Sequence, residues 1–222
     1  MIKAKEVLIL EMAYSQIGYK ETGTNITKYA KYFDTEAWQW FNSKKQGAAW
    51  CAIFICWLYC QIYGPEKALK ILGCPKPSQN CAAGAPYFHN YLKAKGYQIS
   101  DKTKGQAGDI IFFNDNTHVG IIYEAKNGKY ITIEGNAGNK VAKKTYVLNS
   151  KKISAICRVK TEAPAKDPTP VKDPERRYYT VKKGDTMSKI ARSLGVSLYY
   201  LKKHNPQITN INLIYPGQKV YY

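Results

Sequence analysis

The sequence predicts an α+β chain: a larger domain of helices followed by an antiparallel sheet, then a small βααβ module. Three observations carry this. Helical patterning fills roughly the first hundred residues and strand patterning the next sixty. A Pro-rich segment, KTEAPAKDPTPVKDPERR from Lys160 to Arg177, then sets apart the end of the chain. Helices grouped ahead of a β meander are the signature of an α+β domain rather than of alternating βαβ units. The expected boundaries are 1–160 for the larger domain, 161–177 for the linker and 178–222 for the module.

The elements follow in order. Residues 5–17 pattern as an amphipathic helix ending at Gly18. A second helix is expected over 24–33, with Thr24 as its cap. The third, 50–62, lies in the apolar run Ala48–Cys60 and stops at Gly64-Pro65. A run of that length marks a buried core helix, because a membrane span needs about 20 apolar residues. Helices over 65–72 (Pro65 early, Gly73 after) and 85–95 (Gly96 after) complete the set. Strands are expected at 109–113, 118–124, 129–135, 141–148 and 153–159, with Asn127-Gly128 as a hairpin turn. The linker has four prolines and no apolar periodicity. Extended at about 3.1 Å per residue, it would reach roughly 50 Å.

Composition narrows the function classes. The net charge is +18, with 23 Lys and Arg against 11 Asp and Glu in residues 1–160, and 7 against 1 in 178–222. Such a surface favours an anionic partner such as nucleic acid, a membrane or an acidic wall polymer. No recognition helix or stacking motif accompanies the charge, so a nucleic-acid partner is not expected. The first twenty residues have Glu6 and Glu11 inside their apolar run and no cleavage site, so the expectation is synthesis in the cytoplasm without an export signal. The six cysteines form no CxxC pair, and no metal site is expected of them. Cys74 and Cys81 flank a Pro-rich loop and are the pair an oxidising compartment would join.

The chemistry concentrates on Cys51. It falls in the first turn of the buried helix, where unpaired N–H groups and the positive dipole end favour a thiolate. Cys56 and Cys60, deeper in the same helix, read as core. A reactive cysteine needs a base. His89 lies inside a helical stretch and His204 in the small module, whereas His118 opens a strand. A third group should orient the imidazole. On the strand around YITIEGN, residues Tyr130, Thr132, Glu134 and, if the strand continues, Asn136 share one face. Glu134 and Asn136 are therefore both candidates.

These blocks, GAAWCAIFICWLY, GDIIFFNDNTHVGIIYE and YITIEGNAG, resemble those of the CHAP family of cysteine, histidine-dependent amidohydrolases and peptidases, which is related to NlpC/P60. The resemblance covers roughly residues 5–160. It implies a papain-like fold, cleavage of an amide bond in bacterial peptidoglycan, Cys51 as nucleophile, His118 as base and Glu134 as third member with Asn136 beside it. It also implies an oxyanion site formed by the Cys51 N–H and the side chain of Gln46. Some members hold calcium through an acidic loop before the cysteine. Here Asp34 and Glu36 are scattered, so no metal and no cofactor are expected.

The last forty-five residues parse as strand, helix, helix, strand, with Asp185 or Thr186 capping the first helix. A core that small must use nearly all its apolar residues. YTVKKGDTMSKIA, NPQI and IYPGQ resemble LysM, a module that binds N-acetylglucosamine-containing glycans. The resemblance places a glycan groove between Gly184, Asp185, Thr186 and Met187 on one side and Asn205, Pro206, Gln207 and Ile208 on the other. Together the two resemblances imply an endolysin-type peptidoglycan hydrolase, an N-acetylmuramoyl-L-alanine amidase or a stem- or bridge-peptide endopeptidase, held at the wall by its module; a monomer is expected. A non-catalytic wall-binding protein is the competing class.

Overall fold

The computed structural model describes residues 4–37, 40–74, 82–160, 178–194 and 213–222, together with Leu201, Asn205, Gln207, Ile208 and Asn210. It divides into two compact units, Met1–Thr161 and Glu162–Tyr222. The expected linker, the Cys74–Cys81 pairing and most of the module's second helix fall on residues outside those described.

Among the described residues, five α-helices lead the first unit: α1 (Ala4–Ser15), α2 (Lys28–Thr35), α3 (Cys51–Tyr63), α4 (Pro65–Leu72) and α5 (Ala85–Ala94). A five-stranded antiparallel sheet follows, formed by β1 (Ile110–Phe113), β2 (His118–Lys126), β3 (Lys129–Glu134), β4 (Ala142–Val147) and β5 (Ile153–Cys157), in the order β4-β3-β2-β1-β5. The α+β expectation holds. No described helix is long and apolar enough to cross a membrane. The run that raised that question is α3, whose Ala52, Ile53, Phe54, Ile55, Cys56 and Leu58 are all fully buried. Each of the larger of these side chains contributes about 1.5–3 kcal/mol by leaving water. An aromatic cluster of Tyr29, Phe54 and Trp57 packs α2 against α3, with ring centroids 5.0 Å apart in both pairs that Tyr29 makes.

Several boundaries shift by one or two residues, among them the ends of α1 at Ser15, β2 at Lys126 and β5 at Cys157; for two boundaries the structure shows the reason. The second helix begins at Lys28, not near Thr24. Asn25 takes a left-handed conformation (φ 56°) that interrupts any earlier turn, and Thr27 is the cap, its hydroxyl accepting from Ala30 N at 3.1 Å. Strand β3 ends at Glu134, not 135. A Cβ on Gly135 would come within 2.7 Å of Phe54 Cβ and 3.0 Å of Trp50 in α3's first turn and cap. The strand therefore stops where it presses on the head of α3, and this close approach brings β3 up to Cys51.

The second unit contains β6 (Tyr178–Thr180), α6 (Met187–Ser193) and β7 (Lys219–Tyr221), with β6 and β7 antiparallel. Its core is Val181, Met187, Ile190, Ala191, Leu201, Ile208 and Val220.

Candidate active site

Three elements meet at the site. Cys51 is the first residue of α3, and the cap residue, Trp50, makes no side-chain capping bond. The first N–H groups of a helix have no partner within it, so the head of α3 offers donors and a positive dipole end around Cys51 Sγ. Trp50 itself is fully buried and anchored by its indole N–H, which donates to Glu21 Oε2 at 2.8 Å. His118 is the first residue of β2, opposite Phe113 on β1. Glu134 is the last residue of β3, next to β2 in the sheet.

The side chains form a line. His118 Nε2 lies 2.9 Å from Glu134 Oε2, and the Cys51 side chain is near enough to the same ring to raise its pKa. With Nε2 on the carboxylate, Nδ1 is the ring nitrogen left for sulfur. The Glu134 carboxylate is buried (2 % exposed), whereas the His118 side chain keeps 23 % of its surface, so the site opens to solvent at the imidazole. Burial opposes the charged ring. The side-chain interactions with Cys51 and Glu134, and the negative charge those groups carry, outweigh it and push His118 from 6.5 up to about 9. The ring is thus held as an imidazolium at neutral pH, the partner a thiolate requires.

Glu134 is itself held. Its Oε1 accepts from Thr132 Oγ1 at 2.6 Å, and Oε2 receives a longer contact from Tyr146 Oη at 3.5 Å. Its stem lies over β2 only because residue 120 has no side chain: a Cβ there would be 2.6 Å from Glu134 Cγ. Thr132, Tyr146 and Gly120 were not singled out from the sequence. Thr132 carried a signal, since it shares the strand face of Glu134. Gly120 carried a weaker one, as the Gly two residues after the candidate base.

Two expected members are placed elsewhere. Asn136 does not continue the strand: it takes φ 55°, and its amide donates to Asn25 Oδ1 at 3.3 Å, tying the loop after β3 to the loop before α2. Glu134, not Asn136, meets the imidazole. Gln46 clamps a backbone. Its Nε2 donates to Thr27 O and its Oε1 accepts from Thr27 N, both at 3.0 Å, so the carboxamide pairs with the cap of α2. Asp34, considered as a stray acidic residue, accepts from Lys45 N at 2.7 Å and Gln46 N at 3.0 Å and folds the same loop. Among the described residues no cluster of His, Cys, Asp or Glu has metal-binding geometry.

In the second unit, three of the expected groove residues are interior. Asn205 is fully buried. Its Nδ2 donates to Leu201 O (2.6 Å) and Tyr221 O (2.9 Å), and its Oδ1 accepts from Tyr221 N (2.8 Å), pinning its loop to β7. Met187 and Ile208 belong to the core. Asp185 makes a turn, accepting from Lys182 N and Tyr179 Oη at 2.8 and 2.9 Å. Gly184, Thr186 and Gln207 are exposed, and Pro206 lies outside the described residues.

Residues 42–136 match the family model of the CHAP domain, and residues 179–221 that of the LysM domain. The chain carries a CHAP domain and a LysM domain. The CHAP match takes in Cys51, His118 and Glu134. Two curated relatives match over short stretches. "Chlorophenol reductase" of Desulfitobacterium hafniense is 54 % identical over 43 residues, 19 % of this chain and 13 % of that protein. "Spore coat assembly protein ExsA" of Bacillus cereus is 48 % identical over 44 residues, 20 % of this chain and 7 % of that protein. The chain thus spans about a tenth of the length of these relatives. Among solved structures, a mutated form of the Resuscitation Promoting Factor Interacting protein RipA aligns with 70 % of this chain and 62 % of its own, at 15 % identity and a TM-score of 0.40.

Proposed function

We propose that this chain is a cysteine-dependent peptidoglycan hydrolase, an N-acetylmuramoyl-L-alanine amidase that its LysM domain holds on the bacterial wall. The observation that carries the reading is the His118–Glu134 bond with Cys51, the first residue of a buried helix, beside the same ring, all within the CHAP match. The thiolate of Cys51 attacks the carbonyl carbon of the scissile amide. The N–H of Cys51, at the positive end of α3, faces the developing oxyanion. His118, held protonated, gives its Nδ1 proton to the departing amine as the C–N bond breaks and a thioester forms. The neutral ring then takes a proton from water, whose oxygen attacks the thioester carbonyl and releases the acid and Cys51. Glu134 keeps the ring turned toward sulfur throughout.

Binding by the LysM domain raises the concentration of scissile bonds around the CHAP domain. The surplus of Lys and Arg in both parts favours adsorption to an anionic wall, and the adsorption weakens with salt. The test is Cys51→Ala on purified walls. We expect a variant that sediments with walls but releases no fragments. Full release by the variant refutes the enzyme reading. Mass spectrometry of wild-type fragments names the bond: new N-terminal alanine on intact stem peptides supports the amidase, and peptide-internal termini replace it with an endopeptidase of the same chemistry.

A further inference from the structure

We propose that Thr132 and Tyr146 are positioning residues that hold the Glu134 carboxylate against the His118 ring. Thr132, Glu134 and Tyr146 share one face of the sheet. In the β3–β4 register Thr132 pairs with Lys144, Glu134 with Ala142 and Tyr130 with Tyr146, so Tyr146 reaches diagonally along that face toward Glu134. A carboxylate has two oxygens, and a single bond to imidazole leaves the group free to rotate about its last torsion. Here the other oxygen is fixed. Thr132 is fully buried and its hydroxyl donates to Oε1 at 2.6 Å, a short bond of the charge-assisted kind. With Oε1 held there, Oε2 is directed at His118 Nε2, 2.9 Å away.

Tyr146 closes the other side. Its hydroxyl lies 3.5 Å from Oε2, and its ring packs on Phe113, with centroids 4.6 Å apart. Phe113 in turn sits beside the His118 ring, with centroids 6.0 Å apart. Burial, the Glu134 charge and the hydrogen bond to it all keep the Tyr146 hydroxyl protonated far into the alkaline range, so it remains a donor wherever the site works. The network is buried around Glu134 and therefore stiff, and an unsatisfied carboxylate oxygen in it is costly.

The inference rests on Glu134 as the third member of the site, and its test separates the two. Thr132→Val removes the hydroxyl and keeps the volume; Thr132→Ser keeps the hydroxyl. The readouts are kcat and KM on purified walls, and the NMR titration midpoint of the His118 ring. For Thr132→Val we expect kcat to fall about ten-fold at unchanged KM and the midpoint to drop by about one pH unit. Thr132→Ser restores both. Tyr146→Phe moves both in the same direction by less, as its longer contact requires. A wild-type midpoint and kcat in Thr132→Val overturn the proposal. Should that variant not fold, Thr132→Ala is read in the same way. Glu134→Gln runs beside them: if it too leaves the midpoint and kcat unchanged, the reading of Glu134 itself fails. If it acts while the Thr132 variants do not, only the positioning proposal falls.

Discussion

Gly120→Ala puts one methyl group where the site has no room. The new Cβ would lie 2.6 Å from Glu134 Cγ and 3.1 Å from the carbonyl oxygen of Ile133. Carbon atoms in contact rest about 3.5–4.0 Å apart, so the glutamate stem must retreat by about 1 Å. The 2.9 Å bond from His118 Nε2 then opens to about 3.9 Å, outside hydrogen-bonding range. A displacement of that size at a catalytic group costs about 100-fold in rate. The ring loses part of what raises it to about 9, so its titration midpoint falls toward 6.5. Overpacking adds a stability loss of about 1–3 kcal/mol. Wall-fragment release measures the rate, and the His118 ring NMR titration measures the midpoint. Gly105→Ala is the control. Its Cβ would crowd Ile122, Tyr130 Oη and Ile156 at 2.8–2.9 Å, so stability falls while the His118 midpoint stays in place. A Gly120→Ala protein with the wild-type midpoint and rate would refute the claim that this glycine exists to seat Glu134.

Three further outcomes are expected. In the proposed mechanism His118 gives a proton to the amine, and the ring is raised to about 9, so kcat is expected to hold through neutral pH and fall as pH rises through that value, with Glu134→Gln moving this alkaline limb downward; an unmoved limb counts against the Glu134–His118 pair. Gln46→Ala removes two bonds to Thr27 and lowers stability by about 1–3 kcal/mol in urea unfolding. The rate of the folded protein changes by less than about ten-fold, whereas a loss of about 100-fold or more would mark an oxyanion donor. Asp109→Asn breaks a pair in which the buried carboxylate receives Arg158 Nε at 3.0 Å and Nη2 at 2.8 Å, and destabilises the first unit by about 3 kcal/mol; a cost below about 1 kcal/mol would show that the pair does not hold β1 to the end of β5.

The parts of the site legible in the sequence are those whose signal is local. The short apolar run, stopped by Gly64-Pro65, marks a buried core helix, and Cys51 stands at its first residue, where the positive dipole end lies. His118 opens a strand because the turn before it is built from Asn and Asp: Asn114, Asp115 and Asn116 all take left-handed backbone angles, with φ of 49°, 55° and 65°. Strand parity put Glu134 on a face with Thr132. The same parity reaches Asn136 only if the strand continues through Gly135, and it does not: Gly135 meets Phe54, a contact across 81 positions of chain. At Gln46 and Asn205 the structure commits the side chains to contacts of a related kind. Each is a polar side chain at a family-like position whose partners are backbone groups brought together by folding: Thr27, 19 residues from Gln46, and Tyr221, 16 residues from Asn205. A carboxamide satisfies a donor and an acceptor at once, which makes it equally suited to pin a loop or to hold a ligand. Spacing cannot separate those uses. What separates them is whether both ends of the amide already have partners. Both ends do at Gln46 and Asn205, whereas in the proposed site the thiol, the imidazole and the carboxylate behind it have one another as neighbours.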